Sequence, residues 1–220
     1  MEDDSIKIAL ISDIHGNAIA LEAVLQDIDR QQVDNIFVLG DIANRGSEPA
    51  KCVALVRALP AIGGNGDQYV VRGYHENQIS DPMPAPSRGL QPNWLNDEVH
   101  LIERRWTASK LIRDDIEYLR GLPDRTLHPM GHGEYMLLCH ATPTDRLIRI
   151  FSDSSNDLLD QTYVKPFPAV RIAASGHTHR PFVRFINHAV IINTGTVGLP
   201  IDGSPTASYA LVEIDGGTTM

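Results

Sequence analysis

Two histidines separated by one residue, in the run Gly176-His177-Thr178-His179-Arg180-Pro181, form the densest concentration of ligand chemistry in the chain. They follow the apolar run 171–174, so both leave a strand end together and can project towards one point. Neutral imidazole is a common ligand for divalent transition metals, which is the chemistry such a pair suggests. The pair alone is weak evidence, because loop histidines also serve as simple hydrogen-bond partners for backbone. Upstream blocks change the weight: Asp13-Ile14-His15, Gly40-Asp41, Gly64-Asn65 and His140.

Pooled, the carboxylates of Asp13 and Asp41, the carboxamide of Asn65 and the imidazoles of His15, His140, His177 and His179 are too many for one catalytic zinc, which typically takes three protein ligands. They suit two ions. Ions in such a pair sit ~3.5–4 Å apart and need a bridging ligand, a role a carboxylate can fill, and Asp41 is the candidate.

The elements that must position these residues are legible around them. Residues 6–11 are a short β-branched run that stops at Ser12-Asp13-Ile14-His15-Gly16-Asn17, and Leu21, Val24, Leu25 and Ile28 then mark an amphipathic helix over about 18–30. Residues 36–39 repeat the pattern, ending in Gly40-Asp41, with Ser47 expected to cap a helix carrying Val53, Val56 and Leu59. A third short strand is expected at about 60–63, before Gly64-Asn65-Gly66-Asp67. Strand, polar turn and helix in succession is the βαβ pattern, in which sites gather at the carboxyl ends of strands. Residues 69–93, with Pro82, Pro84, Pro86 and Pro92, read as irregular, and 94–119 as helical in two pieces. Trp94 and Trp106 read as core, with pocket lining as their other use. From Tyr135 the chain turns strand-rich: 135–139, 171–175, a hairpin of 182–186 and 189–192 about Asn187-His188, and a last strand near 209–214. Helices early and antiparallel strands late imply a mixed sheet system.

The ordered set Asp13-x-His15, Gly40-Asp41, Gly64-Asn65, His140 and Gly176-His177-x-His179 resembles the five-block pattern of the calcineurin-like metallophosphoesterase superfamily, and most of all its small bacterial and archaeal phosphodiesterase branch. The resemblance covers nearly the whole chain and extends to the turn at 193–198. It implies an α/β fold, a four-layer α/β/β/α sandwich of two mixed β-sheets. It also implies that Asp13, His15 and His179 hold one metal, that Asn65, His140 and His177 hold the other, and that Asp41 bridges them. The expected cofactors are two divalent ions, manganese first, with iron, zinc or nickel as alternatives. The implied reaction is hydrolysis of a small phosphodiester or nucleotide by a hydroxide bridging the metals. Arg45 stands where the family has an arginine after the bridging aspartate, which implies a charge-assisted contact to substrate phosphate. Asn17 has two uses open to it, holding phosphate through its amide or capping the first helix.

One position departs from the pattern. Many members carry a histidine directly after the ligand asparagine, to help protonate the leaving oxygen, and here that place is Gly66. General acid catalysis is worth ~10²–10⁴ in rate, so aryl esters, nucleotide-type diesters and phosphoanhydrides are the expected substrates. His75, His100, His128, His132 and His188 read as solvated or hydrogen-bonded surface groups. His75 alone follows the third block closely enough to reach the site and substitute as the acid.

Bulk properties narrow the classes. Among 220 residues, 28 acidic groups against 19 basic give a formal net charge of -9, which disfavours long nucleic acid and anionic membrane as partners and leaves a small phosphorylated substrate. Cys52 and Cys139, only two and far apart, form no disulfide framework. The acidic start lacks the basic and apolar regions of a signal peptide, and no apolar run approaches the ~20 residues that span a bilayer, so a cytoplasmic location is expected. The expected organisation is one domain over 1–220, with a loop and helical insertion at about 69–121 near the site, and the oligomeric state is open. The competing class is a scaffold that keeps the fold and binds protein through its surface. Seven competent ligand positions weigh against it, since a scaffold has no physical need to gather so many polar groups.

Overall fold

Strand β1 (Ile6–Ile11) lies between β2 (Asn35–Val38), parallel to it, and β8 (Ala210–Ile214), antiparallel. Its side chains alternate across the sheet, as the pleat dictates. Ala9 and Ile11 face helix α1 (Ala18–Arg30) and helix α2 (Pro49–Arg57), meeting Leu21, Val24, Ile28, Cys52, Val53 and Val56. Ile8 and Leu10 face the other way, into a core shared with Phe37, Met136, Leu138, Ala174 and Ile192. The computed structural model describes residues 5–60, 69–80 and 98–214, so the expected strand at 60–63, Asn65, Gly66, Trp94 and the proline-rich stretch lie wholly or largely outside the described residues.

The second sheet supplies the other half of that middle core. Its strand order is β3 (Arg125–Gly131), β4 (Glu134–Cys139), β5 (Val170–Ser175), β7 (Ala189–Asn193), β6 (Phe182–Ile186), with β4, β5 and β7 parallel and both edges antiparallel. Leu137, Cys139, Ala173 and Ile191 point outward from it and pack against Leu159, Tyr163 and Val164 of the short helix α6 (Asn156–Leu159) and the π-helical turn Asp160–Val164 that continues it. Three cores therefore separate four layers, and the α/β/β/α sandwich of two mixed sheets is the fold. Both cysteines are buried and unpaired.

Several local expectations are corrected. Helix α2 begins with Pro49 after Glu48, and Ser47 is not its cap; proline at the first helical position presets φ, and no side-chain capping bond forms. Within the stretch read as irregular, α3 (Tyr74–Ser80) is helical, because its Glu76 carboxylate anchors it to the loop after β2. α4 (Glu98–Lys110) and α5 (Arg113–Gly121) are the two expected helical pieces. Strand β3 gave no periodic signal, since Pro129 interrupts it, but at a sheet edge a proline costs no ladder bond. His128 on that strand is buried against Phe37 and Tyr69, not solvated. Trp106 is 40% exposed with the Lys110 ammonium over its ring, so it is not core. Asn187 takes φ +54 in the β6–β7 turn, as a tight hairpin requires. Among the described residues no helix is long and apolar enough to cross a membrane.

Candidate metal centre

The polar residues converge because β1, β2, β4 and β5 end on the same side of the two sheets. Asp13 and His15 follow β1, Asp41 follows β2, His140 follows β4, and His177 and His179 follow β5. The backbone of these turns is sharply bent, and Asp13, His15, Asp41, Asn44, Arg45, His177 and His179 all have φ between +51 and +74. Non-glycine residues pay ~1–3 kcal/mol each for such conformations, which persist where the surroundings over-determine them. Gly176 and Gly73 are part of that enclosure. A Cβ at Gly176 would overlap Ser12 Oγ and Asp13 Oδ2, and one at Gly73 would overlap Asp41 Oδ1.

Each carboxylate has one oxygen committed and one turned inward. Asp13 Oδ2 accepts from Ser12 Oγ at 2.6 Å and from the His177 amide at 2.8 Å. Asp13 Oδ1, fully buried, has no hydrogen-bond partner among the described residues and lies 3.1 Å from His179 Nε2 and 3.6 Å from His15 Nε2. Asp41 Oδ1 accepts from the His75 amide at 2.8 Å. Asp41 Oδ2 lies 3.2 Å from His140 Nε2 and 3.8 Å from His15 Nε2.

The histidines are wired to match. His140 Nδ1 donates to Leu39 O at 2.7 Å and His179 Nδ1 to Leu199 O at 2.6 Å, so in each ring the proton sits on Nδ1 and the Nε2 lone pair points into the centre. This is the outer-shell bond that fixes a metal-ligating histidine. His177 Nε2 is buried with no hydrogen-bond partner among the described residues, and His140 Nε2 is buried 3.2 Å from Asp41 Oδ2. Ligand atoms of Asp13, His15 and His179 lie within 4.8 Å of one another, as do those of Asp41, His140 and His177. Buried nitrogen and carboxylate oxygen atoms crowded on one another, as His15 Nε2 and His179 Nε2 are at 3.1 Å, need a positive charge among them; this is the donor set that a divalent cation satisfies, and the residues fit one in each group.

Electrostatics follows the same geometry. Burial pushes the Asp13 carboxyl up, but its contacts with His15 and His179 win and hold it well below the usual carboxylate range. Burial likewise opposes Asp41, and His140 and His75 hold it well below that range. Burial lowers His140, but the Asp41 charge raises it to about 10. Burial pushes His177 down to about 4 and His75 down to about 3.

Other residues singled out in the sequence fall as follows. Arg45 lines the same cavity, about 410 Å³, with Nη1 3.3 Å from Glu103 Oε2 and 3.4 Å from His100 Nδ1. Asn17 caps α1, accepting from the Ala20 amide at 3.1 Å while Nδ2 donates one of its two hydrogens to Gly198 O at 3.0 Å. Asn65 lies outside the described residues. His75, read as a surface group, is buried and opens on the cavity beside Asp41.

Sequence reasoning missed Glu76, a fully buried carboxylate that accepts from the amides of Asp41, Ile42, Ala43 and Gly73 at 2.8–3.2 Å. It also missed Arg149, Phe151 and Arg180, which line the same cavity as Arg45. An isolated glutamate or arginine carries no signal of the loop it will meet.

Comparison with known proteins identifies the family of the fold. An uncharacterized protein of Methanocaldococcus jannaschii is 30% identical over 94% of this chain and 82% of its own length. The crystal structure of a metallophosphoesterase from Sphaerobacter thermophilus superposes with a TM-score of 0.70 at 28% identity, covering 94% of this chain and 83% of that one. A symmetrical bis(5'-nucleosyl)-tetraphosphatase of Delftia acidovorans is 29% identical over 60% of this chain but only 42% of its own length. The family model described as the calcineurin-like phosphoesterase superfamily domain matches residues 6–217, and with the sandwich and the convergent histidines and aspartates in view, the chain belongs to that superfamily.

Proposed function

We propose that the protein is a phosphoester hydrolase that works with two divalent metal ions. Asp13, His15 and His179 would hold one ion, and His140 and His177, with Asn65, the other. The observation that carries this reading is the position of Asp41 Oδ2, which faces His15 on one side and His140 on the other. With Oδ1 held by the His75 amide, bridging falls to the single atom Oδ2. When bound, such ions activate water as a nucleophile and neutralise charge on the phosphoryl oxygens. The chain's own contribution is to keep the ligand lone pairs bare and oriented, to enclose them, and to present Arg45 at the cavity for a phosphate oxygen. A scaffold would gain nothing from burying these unpartnered lone pairs, each of which costs stability unless a cation satisfies it.

The substrate class we favour is a nucleotide-type phosphoanhydride or diester. Arg149 and Arg180 have no carboxylate partner among the described residues, and with Phe151, Leu147 and Ile201 they line the cavity beyond the centre. Cations next to apolar wall suit further phosphates followed by a base. The relative named as a bis(5'-nucleosyl)-tetraphosphatase supports the same class.

The test is hydrolysis of bis(p-nitrophenyl) phosphate, p-nitrophenyl phosphate and diadenosine tetraphosphate by metal-stripped protein, with manganese, nickel, zinc or magnesium restored. Metal-dependent turnover that Asp41→Asn and His140→Ala both abolish is the expected result. A folded protein that binds no metal and turns over none of these would sink the reading in favour of the scaffold.

A further inference from the structure

The imidazoles of the centre are not all wired alike. His140 and His179 give their Nδ1 protons to backbone carbonyls and leave Nε2 bare. His75 is held the other way round. Its Nδ1 lies 2.7 Å from the side-chain Nδ2 of Asn44, whose Oδ1 accepts from Thr107 Oγ1 at 2.9 Å. Thr107 is 0% and Asn44 1% exposed, so water does not compete for these atoms. A hydroxyl that donates to Oδ1 turns the Asn44 amide N–H towards His75, which makes Nδ1 an acceptor and leaves the ring proton on Nε2. That atom opens on the cavity, 3.9 Å from Asp41 Oδ2, too far for a hydrogen bond to it.

We propose that His75 is a catalytic hydrogen-bond donor, its Nε2–H aimed at an oxygen of the reacting phosphate, and that Thr107 and Asn44 are positioning residues that hold it in this tautomer. His75 belongs to a geometric cluster with His15 and Asp41 that could accept a metal, but a ring protonated on Nε2 cannot be a ligand through that atom. His75 transfers no proton: as a water oxygen forms its bond to phosphorus the ester P–O bond breaks, the leaving oxygen departs as an anion that is protonated from solvent, and His75 stabilises the negative charge that develops on oxygen. Fixed donors aimed at developing charge are worth ~10²–10³ in kcat. The role rests on the phosphoesterase reading above.

The experiment combines two readouts. Long-range ¹H–¹⁵N spectra of histidine-labelled protein, metal-free and zinc-loaded, are expected to show His75 protonated on Nε2 in both states. Asn44→Asp, whose carboxylate can only accept, is expected to move the proton to Nδ1. Kinetically, His75→Ala should lower kcat by roughly 10²–10³ with metal content unchanged. His75→Gln, which keeps an N–H, should recover part of that. Thr107→Val keeps the shape and serves if Asn44→Asp fails to fold, with a smaller loss of kcat and a mixed tautomer. An Nδ1-protonated His75 in the wild type, loss of a metal in His75→Ala, or a kcat within threefold of wild type would each overturn the proposal. Absence of turnover in the metal-loaded wild type would instead overturn the phosphoesterase reading, and the spectra separate the two cases because they need no substrate.

Discussion

His15 Nε2 and His179 Nε2 face each other at 3.1 Å, with the fully buried Asp13 Oδ1 close to both. His179 already donates through Nδ1 to Leu199 O, so its Nε2 lone pair is aimed at the His15 ring and at a carboxylate oxygen. Several acceptors crowded together without water are stable only around a positive charge. In the metal-free protein that charge is a proton, and a divalent ion does the same work better. Removing metal with a chelator is therefore expected to lower the melting temperature. At a free metal concentration a hundredfold above Kd the linkage is worth ~2.7 kcal/mol, or roughly 5–10 °C for a domain of this size. Calorimetry with manganese or zinc restored checks it; no shift with any divalent ion would count against a built metal site.

Stability of the metal-free protein should fall on both sides of about pH 6.5 from the opposite shifts of its buried histidines, with Glu76, raised by burial to about 7, offsetting part of the acid limb. His140 is raised to about 10 by Asp41 against its burial, so its contribution is complete below its unfolded value and is lost as pH rises towards 10. His75 and His177 are pushed down to about 3 and about 4 by burial; the unfolded chain binds protons there that the folded one does not, so stability falls as pH drops below 6.5. Urea unfolding in a chelating buffer from pH 5 to 9.5 measures both limbs. Asp41→Asn removes the charge that raises His140 and should flatten the alkaline limb while leaving the acid one. An unchanged alkaline limb in that variant would mean that His140 is not paired with Asp41.

The chemistry was legible in the sequence where it sits directly at the end of a strand. The β-branched run at 6–11 and the apolar runs at 135–139 and before Gly176 are local signals, and each stops just before a ligand-type residue, so both the layers and the inward cluster of Asp13, His15, Asp41, His140, His177 and His179 could be read from spacing and resemblance. What was not legible depends on contacts between distant segments. The roles of Glu76, Asn44 and Thr107 exist only because α3 and α4 pack on the loop after β2. Strand β3 was hidden for a related reason: its order comes from pairing with β4, not from its own composition.

Glu76 should matter for metal binding without touching the metal. Its two carboxylate oxygens take the amides of Asp41, Ile42, Ala43 and Gly73, which is what holds the Asp41 turn at φ +52. Glutamine has one acceptor oxygen and would turn an N–H₂ towards amides that also donate. Hydrogen bonds to a charged group are worth ~1.5–3 kcal/mol, so Glu76→Gln should destabilise the protein by about that much. Loosening the turn should also weaken metal affinity by roughly 10–100-fold, the usual effect of losing an outer-shell partner. Titration calorimetry on folded variant protein separates the effects. Lost stability with unchanged affinity would make Glu76 a fold anchor alone.

Arg149 and Arg180 should distinguish substrates by their number of phosphates. Arg180 lies over the Phe151 ring, 5.9 Å from its centroid, which keeps the guanidinium at the cavity with no carboxylate partner among the described residues. On the proposed reading, a single phosphate at the metal centre leaves these arginines to the rest of the cavity, whereas a nucleoside polyphosphate or dinucleoside polyphosphate brings further phosphates to them. One charge-assisted hydrogen bond of ~1.5–3 kcal/mol corresponds to roughly 10–100-fold in KM. Arg149→Ala and Arg180→Ala are each expected to raise KM for diadenosine tetraphosphate by that factor and to leave bis(p-nitrophenyl) phosphate within about twofold of wild type. Arg180→Lys should keep part of the effect, because an ammonium is a point charge without the guanidinium's planar fork. Equal losses on both substrates would place the arginines in folding or in the reacting-phosphate site, and would remove the argument that the cavity is built for a chain of phosphates.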